Sequence, residues 1–112
     1  MSDHTLKSEL AIQLGELLEP LEGKTIHIQE WLTRNRSSGY DRHCSIINSL
    51  VFTVERVAWQ MSGGHFYLYG KEPTQYAFLT GELFEIYAEN NKYVIIEQYE
   101  EKTERKTVLE IC

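Results

Sequence analysis

The sequence predicts an α+β fold in which an N-terminal amphipathic helix leads into a mainly antiparallel sheet. Three observations predict it. Leucines recur at helical spacing between residues 6 and 21, short alternating runs punctuated by turn residues fill the second half, and 112 residues are the length of one domain, taken as residues 1–112.

The helix comes first. Leu6, Leu10, Leu14, Leu17, Leu18 and Leu21 fall on one helical face, while Lys7, Glu9, Gln13 and Glu16 fall on the other. Asp3 or Thr5 can cap its start, and Pro20 with Gly23 marks its end. Thr25 to Trp31 then alternates, with Ile26 and Ile28 on one side and His27 and Gln29 on the other, as a strand does. A polar loop, Arg34 to His43, follows.

Cys44 to Ser62 admits two conformations. On a helical wheel Ile46, Ile47, Leu50, Val51, Val54, Val57, Ala58 and Met61 gather in one arc, and Gly63-Gly64 supplies a stop. This pattern predicts a second helix at about 44–62, followed by a C-terminal antiparallel meander of about four to five strands. The alternative is a helix plus a small all-antiparallel barrel with 44–61 as strand. The Ile, Val, Thr and Phe content favours that alternative, but it needs a change of face near Glu55-Arg56. Trp59 and Phe52 lie outside the helical arc, where they would await a contact; on a strand they would be core.

Phe66 and Leu68 alternate with His65, Tyr67 and Tyr69; Gly70 to Pro73 turns the chain; and Gln75 to Thr80 is a short strand. Leu83 to Glu89 and Lys92 to Glu100 form a hairpin through Asn90-Asn91, because asparagine tolerates the left-handed conformation of a two-residue turn. Arg105 to Cys112 is the last strand. An uninterrupted ladder puts Leu83, Tyr87, Val94, Ile96, Leu109 and Ile111 on one face. That face is apolar at its centre and is expected to share a core with Leu10, Leu14 and Leu17. The other face mixes Phe84, Ile86, Tyr93, Ile95, Tyr99 and Val108 with Glu97, Lys106 and Glu110, and so reads as an apolar, acid-rimmed interface. If the sheet instead curls into a barrel or sandwich, both faces are partly internal.

Composition narrows the function. A net charge of −6, with no block of like charges, argues against general nucleic-acid or anionic-membrane binding. No signal peptide or membrane-spanning run is present, and Cys44 and Cys112 read as reduced thiols of a cytoplasmic protein. His43 beside Cys44 is no catalytic dyad, since adjacent side chains diverge. His4, His27, His43 and His65 are scattered without metal-ligand spacing, so no catalytic residue, metal or cofactor is expected. His65, Tyr67 and Tyr69 form an outward ladder followed by Tyr76, but the cations that single-stranded nucleic acid requires are missing around them.

The expectation is a non-enzymatic interaction module of inhibitor, immunity or accessory type, docking another protein or a second copy of itself. Phe84, Ile86, Tyr93, Ile95, Glu97, Tyr99 and Val108 would make the contact. The alternative is a binder of a small anionic ligand, such as a nucleotide or phosphorylated metabolite. Arg34, Arg36, Tyr40, Arg42 and His43 would hold it near the amino end of the second helix.

Overall fold

Helix α1 spans Ser2–Leu18 and tightens into a 3-10 turn at Glu19–Leu21, where Pro20 occupies the first turn and its missing N–H costs nothing. The computed structural model describes the main chain of residues 2–34, 43–60, 64–100 and 103–112, and the side chains of residues 9–32, 48–59, 64–99 and 103–112. Gly23, at φ +87°, takes the left-handed conformation that admits the chain to the first strand.

Eight strands follow among the described residues: β1 (Thr25–Arg34), β2 (His43–Thr53), β3 (Arg56–Gln60), β4 (His65–Tyr69), β5 (Gln75–Leu79), β6 (Leu83–Glu89), β7 (Lys92–Glu100) and β8 (Thr103–Ile111). They form a five-stranded sheet, in the order β2-β1-β8-β7-β6, and a three-stranded sheet, β3-β4-β5; every pairing is antiparallel. The small sheet is thus an insertion between two strands of the large one. The fold is α+β with an N-terminal helix, and the expected Asn90-Asn91 turn is present. Both asparagines have positive φ, 51° and 68°, and Glu89 pairs with Lys92.

The expected second helix at 44–62 is not formed; the segment is β2 and β3. Its apolar residues satisfy a helical wheel because the chain changes sheet partway along, which breaks the two-residue alternation. The Val54 N–H donates to the Lys24 carbonyl at 2.9 Å, and the Gly23 N–H donates to the Val54 carbonyl at 2.7 Å, so Val54 belongs with the large sheet. The next amide, Glu55 N–H, donates to the Tyr69 carbonyl at 2.7 Å, in the small sheet. This corner is the change of face that a strand reading requires.

The core lies between the layers. Leu10, Ala11, Leu14 and Leu18 of α1 meet Ile26, Ile28, Leu83, Ile95 and Leu109 of the large sheet and Phe66, Leu68, Tyr76 and Phe78 of the small one; Leu21 and Val54 close the corner, and Leu17 packs at the margin. Helix α1 also contacts β6 and the turn at Thr80–Glu82, where Leu83 is buried.

Two bulges decide which face of the meander looks inward. The β6–β7 register shifts between Leu83 and Glu85, which turns Leu83 inward opposite Glu97. The β7–β8 register shifts between Gln98 and Glu100, which sets Leu109 opposite Tyr93 and Val108 opposite Val94. An uninterrupted ladder reverses both pairings, and the expected core is corrected accordingly. Val94 and Ile96 lie on the outer face of the sheet, where Val94 is nevertheless covered by its neighbours, and Ile111 is exposed.

Gly70 is buried beside this corner, with a virtual Cβ only 2.7 Å from Phe52 Cδ2 and 3.2 Å from Thr74 Cγ2. Gly70→Ala is expected to cost about 1–3 kcal/mol in chemical denaturation by displacing Phe52, as overpacking does. A loss within error of zero would mean that Phe52 repacks freely.

Candidate functional site

The face expected to bind a partner is mostly interior. Ile95 and Glu97 are fully buried, Ile86 and Tyr93 pack against the core, and Tyr99 sits in the second bulge with its hydroxyl on Glu97. Val108 lies on the opposite, outer face, and Phe84, beside the first bulge, is 49% exposed. The contiguous patch is therefore corrected: the mixed composition of this face came from a charge pair hidden inside the protein. In the anionic-ligand alternative, Arg34 and His43 pair through the main chain at the end of the β1–β2 hairpin next to its 35–42 connection. Their side chains, with Arg36, Tyr40 and Arg42, lie outside the described residues.

Glu97 and Arg105, opposite each other on β7 and β8, anchor a buried polar cluster. Arg105 donates from Nε to Glu97 Oε1 at 2.6 Å, from one terminal nitrogen to Glu30 Oε2 at 2.9 Å, and from the other to the Ala77 carbonyl at 2.7 Å. Glu97 Oε2 accepts the Leu79 N–H at 2.7 Å. Tyr76 and Thr107 share a hydroxyl–hydroxyl bond of 2.8 Å, and the guanidinium lies 5.2 Å from the centre of the Tyr76 ring.

Burial pushes the Glu97 carboxyl above the usual carboxylate range, against the pull of Arg105, the Leu79 N–H and the Tyr99 hydroxyl. Burial likewise raises Tyr76 and Tyr99, so both hydroxyls keep their protons at neutral pH. The cluster resembles catalytic machinery in composition, but its groups are committed to one another and to β5. The Ala77 carbonyl and Leu79 N–H would otherwise need a neighbouring strand, and two side chains of the large sheet take its place. This arrangement joins the sheets.

A different surface is open. A cleft of about 250 Å³ separates α1 from β3. Its floor is Phe66, which α1 approaches closely because residue 15 is glycine: a Cβ there would stand 3.0 Å from Phe66 Cζ. Trp59 stacks on Phe66 with ring centres 5.0 Å apart and planes 14° from parallel, which holds the indole upright as one wall. Val57 extends that wall, and Ile12 and Ala11 form the facing one. Ile12 and Trp59 are 56% and 44% exposed. Glu16 and Glu19 stand on the rim, and Glu22 accepts the Val57 N–H at 3.0 Å nearby.

Sequence reasoning singled out Trp59 as an aromatic awaiting a contact, but on a helix, and expected it to be core if the segment were strand. It lies on a strand and is still half in solvent, because β3 is the outermost strand of its sheet. Ile12 departs from the leucine register of α1 and was the available sign of a second apolar stripe on that helix.

The fold defines a class of architecture: an α+β protein whose N-terminal helix packs on two antiparallel sheets and leaves an acid-rimmed cleft beside an edge strand of the smaller one. No protein-family model, curated protein or solved structure matches the chain. Among the described residues, no helix is long and apolar enough to cross a membrane.

Proposed function

We propose that the protein is a non-enzymatic interaction module that seats an apolar side chain of another protein, flanked by basic residues, in the cleft between α1 and β3. The observation that carries the reading is the pair Ile12 and Trp59, large apolar side chains left in water on the two walls of a cleft floored by Phe66. Burying such groups is worth about 1.5–3 kcal/mol each, and a rigid aromatic wall is a common anchor of binding surfaces. The rim supports the chemistry assigned to the partner. Glu16 and Glu19 attract lysine or arginine, and a second copy of this acidic chain would bring the same carboxylates against them.

A display library of random peptides, selected against the whole protein, tests the reading. The enriched sequences are expected to share an aromatic or branched aliphatic residue with lysine or arginine beside it. Trp59→Ala is expected to weaken their binding about thirtyfold, the effect of losing a contact of about 2 kcal/mol, while Ile12→Glu abolishes it and the melting temperature stays near the wild-type value. Enriched peptides whose binding ignores both substitutions would place the docking surface elsewhere.

A further inference from the structure

The outer face of the small sheet carries a row of aromatic side chains, separate from the α1–β3 cleft. Residues His65, Tyr67 and Tyr69 project from β4 on the side opposite Phe66 and Leu68, and their rings stack along the strand. Successive ring centres are 5.5 Å apart, with interplanar angles of 13° and 26°. The guanidinium of Arg56 lies over the Tyr69 ring, 4.3 Å from its centre. Since β4 is the central strand, cross-strand register decides what flanks this row: Tyr67 has Ala58 on one side and Ala77 on the other. The rings therefore stand as a ridge with a small-residue shoulder on each side of its middle ring, Tyr67.

That geometry selects among ligands. Nucleobases and sugar rings bind aromatic side chains face to face, but here both faces of Tyr67 are stacked on its neighbours and Tyr69 is shared between Tyr67 and Arg56. What remains accessible is ring edges, the tyrosine ends and the alanine shoulders. A polyproline II segment suits such a surface. It presents ridged, rigid pyrrolidine rings at three residues per turn and about 3.1 Å rise, and its carbonyls are free to accept hydrogen bonds from tyrosine hydroxyls.

At the Tyr69 end of the ridge opens a second cleft, of about 410 Å³, lined in part by Glu55, Glu72 and Pro73. Arg56 also lines it, held over the Tyr69 ring, and the two exposed carboxylates outnumber its single positive charge, so the cleft keeps a negative excess to meet a cation. We infer that the ridge His65-Tyr67-Tyr69 binds a proline-rich peptide in the polyproline II conformation, with a lysine or arginine of that peptide entering the cleft beside Glu55 and Glu72.

The probes are fluorescently labelled peptides titrated to millimolar protein: a short oligoproline bearing one terminal arginine, the same peptide with the arginine replaced by glutamate, and a glycine-serine peptide of matched length with the arginine kept. Oligothymidylate serves as the competitor class. The arginine-oligoproline peptide is expected to saturate and to bind about tenfold more tightly than either control, the step of one well-made contact. Tyr67→Ala should reduce that binding about tenfold. Ala58→Gln, which fills the shoulder beside Tyr67 without adding a charge, should do the same in a protein that melts normally. Glu72→Gln should erase the preference for arginine over glutamate but keep the preference for proline over glycine-serine. Trp59→Ala should leave all of it unchanged, since Trp59 lies on the other side of β3; this separates failure of the ridge from failure of the α1–β3 cleft. Equal binding of the glycine-serine peptide, preferential binding of oligothymidylate, or no binding of the proline peptide at millimolar concentration would each overturn the assignment.

Discussion

Arg105→Ala is expected to lower the unfolding free energy by about 3–5 kcal/mol, measured by chemical denaturation, as removal of one partner from a buried ion pair does. The cost has three parts. Glu97, with no exposure of its own, is left ionised without its counter-charge or must take up a proton. Glu30 loses its partner at 2.9 Å, and the Ala77 carbonyl loses its donor. Buried ion pairs elsewhere are often replaced by hydrophobic residues without loss, but that remedy is expected to fail here. A Glu97→Leu/Arg105→Met double variant would abandon the Leu79 N–H as well as the Ala77 carbonyl, and buried main-chain groups without partners cost about 1–3 kcal/mol each. If the double variant were as stable as the wild type, β5 would not depend on these side chains.

Phe78→Ala should cost about 3–5 kcal/mol, the usual range for emptying an aromatic site in a core. Phe78 is the largest side chain with no solvent exposure among the described residues. It meets Tyr76 edge-to-face at 5.1 Å and lies 6.0 Å from the Arg105 guanidinium, so it packs between the apolar core and the polar cluster. Because the two residues are neighbours, their losses are expected to be non-additive by about 0.5–3 kcal/mol in a double-mutant cycle. With a typical stability of about 5–15 kcal/mol for a single domain, either substitution removes a large share of the whole. A small effect of Phe78→Ala, below about 1 kcal/mol, would mean that the small sheet is not docked on the large one through β5.

The helix was legible because Leu10, Leu14 and Leu18 are purely periodic, and the 83–100 hairpin because two adjacent asparagines allow few other conformations. The β2–β3 segment was not, since a sheet-to-sheet corner at Val54 shifts the parity of the apolar residues and the sum of two out-of-phase strands imitates a helix. The interior face of the meander was misassigned for a related reason. Bulges near Phe84 and Tyr99 carry no glycine or proline to announce them, and Glu97 advertised a wet surface while its counter-ion was taken to face the other way. The ladder His65-Tyr67-Tyr69 was visible in the alternation of β4. Its cation, Arg56, was not, because the second-helix reading had removed β3 from the sheet.

Strand β8 lies between β1 and β7, pairing Ile26 with Ile111 along one edge and Tyr93 with Leu109 along the other. No stretch of chain that stops before residue 103 can therefore assemble the large sheet. As a polypeptide emerges in order from the ribosome, β1–β2 and β6–β7 can form only as separate ribbons, each with a row of unpaired amides facing the gap that β8 will fill. Local hairpins of this kind close quickly, whereas a contact between residues 26 and 111 waits on a long loop, so joining the ribbons is the late and slow event. During that wait the exposed ribbon edges are templates for pairing between chains. A premature stop codon between β7 and β8 would thus yield two sticky half-sheets rather than a shorter version of the same protein.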